Sequence, residues 1–66
     1  MTADEFNAAQ PIGTTVLAFP GTRDGRAMLT RTRTPAWTIG NHAVVSVEGY
    51  AGGIALTHII VVEEES

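Results

Sequence analysis

After Pro11 the chain is cut at close intervals by glycine, proline and asparagine into short runs rich in Val, Ile, Leu and Thr. None of these runs has the 3.6-residue apolar period of a helix, whereas several alternate with a period of two. The pattern predicts short antiparallel strands over 14–19, 27–34, 36–39, 43–49 and 54–62. Pro20-Gly21 with Asp24-Gly25 supplies the first turn, Gly40-Asn41 a later one, and a glycine-bearing loop over 50–53 the last. Pro35 cannot donate to a ladder and marks an edge or a bend. Within 27–34, Thr30, Thr32 and Thr34 alternate with Leu29, Arg31 and Arg33, so the strand period puts the arginines on one face.

Ahead of Pro11 the signals differ. Thr2 and Glu5 have the spacing of a capping box, which predicts a helix start. A helix this short is marginal in isolation, so a packed helix and a loose tail are both open readings of the first residues. The chain thus divides into a helical or flexible segment over 1–12, a strand-rich domain over 13–62 and an acidic tail over 63–66.

With 66 residues in all, four or five short antiparallel strands are too few to make a two-sheet sandwich with a filled interior. The common solution at this size is one bent sheet closed on itself, which also covers unpaired edges. The order of elements, a longer first hairpin, a short middle connection and a final pair of strong strands, resembles the SH3-like small barrels over 14–62. That resemblance implies an all-β fold: a five-stranded antiparallel barrel with a short N-terminal helix or tail. The stretch 20–62 is also similar to short proteins of actinobacteria and their phages, a likeness that brings no activity with it.

The run 54–62 makes the strongest demand on packing. Read as one strand, it places Ile54, Leu56, Ile60 and Val62 on one face and Ala55, Ile59 and Val61 on the other, so both faces are apolar. A small barrel shelters only one of them. The other needs the N-terminal segment, through Phe6 and Ile12, or a second copy of the chain. A two-fold homo-oligomer with Ile59 and Val61 in its interface is the expectation adopted.

Charge separates the ends from the body. Four Arg face seven Asp and Glu, a net charge of −3, yet Asp4, Glu5, Glu63, Glu64 and Glu65 all lie at the termini, leaving Asp24 and Glu48 against the four Arg and a body of +2. There is no Cys, hence no disulfide and no thiolate metal site. No apolar run reaches the roughly 18 residues of a membrane span and no secretory signal is evident, so the expected compartment is the cytoplasm, with no membrane partner.

The residue types for catalysis are sparse. His42 follows the Gly40-Asn41 turn and reads as solvated, and His58 reads as a histidine beside an apolar layer. Ser46 lies mid-strand without the glycines of a nucleophile elbow. Two histidines sixteen residues apart with Glu48 between them make a poor zinc set. Gly49, Gly52 and Gly53 join strands and do not open a helix, unlike a phosphate-binding loop. The reading is therefore an enzyme-free chain with no catalytic residues, no cofactor and no metal.

Arg23, Arg26, Arg31 and Arg33 are the remaining concentrated chemistry, with Trp37 close behind them in sequence. Guanidinium groups bind carboxylate or phosphate bidentately and stack on aromatic rings. These five residues form the candidate binding surface, with Trp37 readable either as core or as contact. The function expected is a non-enzymatic interaction module that binds a protein partner and self-associates. The alternative is a nucleic-acid-binding barrel that uses the same arginines on phosphates and Trp37 or Tyr50 on a base.

Overall fold

The computed structural model describes residues 1–21 and 25–62. Arg23, part of the first turn and the acidic tail over 63–66 therefore lie outside the described residues. Helix α1 spans Ala3–Ala9. Six strands follow: β1 Thr15–Ala18, β2 Met28–Arg31, β3 Trp37–Ile39, β4 His42–Val45, β5 Ile54–Ala55 and β6 Ile59–Val61, with a 3-10 turn over Leu56–His58 between the last two.

Of the two readings of the first residues, the helix is the one formed. Its N-terminus carries the complete capping box: the Glu5 amide donates to Thr2 Oγ1 at 3.1 Å and the Thr2 amide donates to Glu5 Oε1 at 2.9 Å. The backbone hydrogen bond from Thr2, then that of its side chain, hold the Glu5 carboxyl below the ordinary glutamate value. Phe6 and Ala3 are the residues α1 buries.

The sheet organisation corrects the expectation from sequence. The six strands form two open three-stranded antiparallel sheets, ordered β2-β1-β6 and β3-β4-β5, in place of one closed five-stranded SH3-like barrel. The cause lies in 54–62. The first residues of this run pair with β4, Val45 opposite Ile54, and the last pair with β1, Leu17 opposite Ile60. Between them the 3-10 turn interrupts the ladder and carries the chain from one sheet to the other. A 3-10 turn does not keep the two-residue alternation of a strand, so inward and outward positions on its two sides are uncoupled. Ile54 and Ile59, five residues apart, both pack on the core.

Strand β4 also ends earlier than the run 43–49 suggests. Beyond Val45 the chain leaves its sheet and meets the end of β2: Thr32 bridges Val47, the Arg33 amide donates to the Ser46 carbonyl at 3.0 Å, and the Glu48 amide donates to the Arg31 carbonyl at 2.9 Å. This seam ties the two sheets together. Val47 is fully buried there, and Thr32 beside it takes the Gly13 amide on its hydroxyl at 3.1 Å.

The two sheets enclose one interior made of two adjoining groups. Val16, Ala18, Val47 and Ile54 form one, and Ala3, Phe6, Ala36 and Val45 the other. Ile59 and Val61 pack against both. Helix α1 is fastened by Asn7, whose side-chain amide donates to the Ala36 carbonyl at 3.0 Å while its oxygen accepts the Ala36 amide at 2.7 Å. Two hydrogen bonds from one carboxamide to one residue reproduce the contact a neighbouring strand would make.

Candidate docking surface

The first sheet buries one face and exposes the other. Along β1, Val16 and Ala18 point inward and are fully buried, so Thr15 and Leu17 point outward. The register places Leu29, Leu17 and Ile60 in one row across the three strands, with Arg31 and Thr15 in the next. The Val62 amide donates to the Thr15 carbonyl at 3.0 Å, which brings Val62 into that second row. Leu29 is 71% exposed and Ile60 39%. The result is an aliphatic strip with a guanidinium at one corner.

Arg31 and Arg33 share an outward direction. Thr32 is buried and Thr30 half-buried, the latter donating its hydroxyl to the Glu48 carbonyl at 2.7 Å, whereas Leu29, Arg31 and Arg33 are exposed. Arg26 is exposed just ahead of β2. Arg23 lies outside the described residues.

Trp37 stands on the second sheet, not beside the arginines. It pairs with Val44 across the β3–β4 ladder and belongs to neither core group. Its ring lies over the sheet, because a Cβ at Gly53 would come within 3.1 Å of Trp37 Cζ2 and 2.9 Å of Val44 Cγ2. Gly53 is the notch that lets the indole lie close to the strands. Trp37 thereby shelters Val44 and keeps 38% of its own surface exposed. It is a lid on the outer face of this sheet and not part of the core.

Both histidines border a shallow depression on the same sheet, with Ile39, Val44 and Ala55 in its floor. His42 closes the β3–β4 hairpin and is exposed; His58 is half-buried, its Nδ1 3.1 Å from the Thr57 hydroxyl. Ser46 is buried at the seam. Among the described residues no three His, Asp or Glu side chains gather as a metal-binding group, and no helix is long and apolar enough to cross a membrane.

Ile59 and Val61, the expected oligomer contacts, are half-buried against the chain's own core and α1. The outward residue on β6 is Ile60. The apolar surface that asks for a cover is therefore the Leu17, Leu29 and Ile60 row. Leu29 shares the parity of Arg31 in the sequence, and that alternation was the available signal for it. Nothing in the sequence points to the clasp of Asn7 on Ala36, which joins residues far apart in the chain.

No family model, curated protein or solved structure matches this chain.

Proposed function

We propose that this chain is a non-enzymatic interaction module that docks a protein partner on the outer face of its first sheet. The observation that carries the reading is Leu29. A leucine 71% exposed on a strand, in one row with Leu17 and Ile60 and next to Arg31, combines an apolar centre with a charged corner. Interfaces combine a desolvated apolar centre with a polar rim, and Arg is enriched in them.

A second copy is a poor occupant of this face. Fully burying a Leu or Ile side chain is worth about 1.5–3 kcal/mol, so covering the exposed fractions of Leu29 and Ile60 on both copies contributes roughly 5 kcal/mol. Association costs about 4–15 kcal/mol. Self-association through this row alone is consequently weak, and a partner must bring further contacts of its own. Nucleic-acid binding is the poorer reading for a separate reason: Trp37, one of the two rings expected to stack a base, lies on the other sheet, away from Arg31.

The test compares wild type with a Leu29→Ser, Arg31→Ala double variant. Affinity capture from a host lysate is followed by identification and reconstitution with the purified partner. Both side chains are exposed, so the melting temperature should stay within about 2 °C while the reconstituted affinity falls at least tenfold. Equal binding by the variant, or steeply salt-dependent binding to oligonucleotides, overturns the proposal.

A further inference from the structure

Strand β6 is an edge of the first sheet, and its free side faces a groove. In the ladder with β1, the Val62 amide bonds the Thr15 carbonyl and the Phe19 amide bonds the His58 carbonyl. Antiparallel ladders alternate, so residues 58, 60 and 62 direct their backbone groups to β1, and Ile59 and Val61 direct theirs away from it. The Ile59 amide is used within the chain, on the Leu56 carbonyl. Among the described residues β6 pairs with β1 alone, so the Val61 amide and carbonyl and the Ile59 carbonyl face no neighbouring strand.

Beside these groups, between β6 and α1, runs a groove of about 330 Å³ lined by Phe6, Leu56, Ile59, Val61 and, from the helix ends, Met1 and Gln10. Unpaired strand groups next to an apolar groove define an occupant: an extended backbone with a side chain directed inward. Charge defines it further. Asp4 and Glu5 stand exposed on the helix that walls the groove, and the chain runs on from β6 directly into Glu63, Glu64 and Glu65. In sequence, five of the seven carboxylates lie ahead of Phe6 or directly after Val62. Copies of this chain repel each other there, and a basic segment is attracted.

We propose that the open edge of β6 receives an extended, basic polypeptide segment as a fourth strand, antiparallel to β6, with an apolar side chain seated against Phe6. The residue opposite Val61 exchanges two hydrogen bonds with it and points its side chain to the same side as Val61, into the groove. Its neighbours in the segment carry the positive charge. The site uses the backbone edge and inward side of β6, whereas the surface proposed above uses the outer face, to which β6 contributes Ile60 and β2 contributes Leu29 and Arg31.

The probe is an acetylated, amidated hexapeptide of alternating Lys and Val, titrated into the full-length 15N-labelled chain. Val61 is expected to show the largest amide shift and slowed hydrogen exchange. Backbone N-methylation discriminates the geometry without altering the protein. Methyl groups on the Val amides, which face β6, should weaken binding at least tenfold; methyl groups on the Lys amides, which face solvent, should change it less than twofold. A Glu and Val hexapeptide should bind at least tenfold more weakly at low salt, and the Leu29→Ser, Arg31→Ala variant should bind the Lys peptide like wild type. The proposal is overturned by equal binding of the two methylated isomers, by no binding at millimolar peptide, or by shifts confined to the Leu29 face. Protection of the Val61 amide that grows with protein concentration alone also overturns it, since a second copy then fills the edge.

Discussion

Gly53 shows how one missing side chain organises a surface. Its conformation does not require glycine by sign of φ; the requirement is space, with Val44 and Trp37 both inside ordinary contact distance of a would-be Cβ. Gly53→Ala should cost about 1–3 kcal/mol by overpacking and should lift the indole away from Val44, read as a red shift of the single tryptophan's emission together with a lower melting temperature. Asn7 makes the opposite kind of contribution. Asn7→Ala removes both bonds to Ala36 and leaves half-buried backbone groups unpaired, for an expected loss of about 1–3 kcal/mol in denaturant unfolding. At Glu5 the sign of the pH effect follows from its depressed value in the folded chain. The stabilisation is present above the unfolded glutamate value and fades as pH falls through the lower, folded one. Glu5 is fully exposed, so the effect is small and confined to α1; helical ellipticity should decline on acidification, and Glu5→Gln should flatten that decline.

At the scale of elements, the sequence disclosed strands better than their continuity. The alternation of Thr30, Thr32 and Thr34 with Leu29, Arg31 and Arg33 sets which side of β2 faces in, and the burial of Thr32 agrees with it. The Gly40-Asn41 turn is equally direct: Gly40 has φ of 58° and Asn41 is not in the left-handed region, as in a type II′ hairpin. That turn makes Ile39 and His42 a closely bonded pair, so Thr38 directs its amide and carbonyl to the free side of β3, while Ala36 on the same side is taken by Asn7. The break at Leu56–His58 was not legible, because no glycine or proline marks it and Leu-Thr-His fits a strand as well as a turn. What decides it is tertiary: the chain gains pairing with β1 and coverage of Ile59 and Val61 by crossing to the other sheet. The outward placement of Ile59 and Val61 follows from taking 54–62 as one unbroken strand, which the turn at Leu56–His58 interrupts.

For the whole molecule, the cost of being small is concentrated in few residues. Among the described residues, Val16, Val45, Val47 and Thr32 are the sizeable side chains buried completely, and Phe6 is the largest side chain in the interior. Phe6→Ala should cost about 3–5 kcal/mol, a large share of the 5–15 kcal/mol typical of a domain, and should unfold α1 and both sheets in one transition when followed by tryptophan emission and far-UV circular dichroism. The candidate surfaces were legible only where they repeat with the strand period. The Leu29 and Arg31 face could be read from alternation, whereas the β6 edge depends on which strand is outermost, a property of topology. The 3-10 turn has one more consequence, for what lengths of chain this architecture tolerates. Leu56–His58 spans the crossing from one sheet to the other, so deleting one residue there would shorten the crossing and pull Ile59 and Val61 off the interior they cover, whereas the loop over 50–52 spans no such crossing. Natural variants of this chain should therefore differ in length at the loop and keep the turn at three residues.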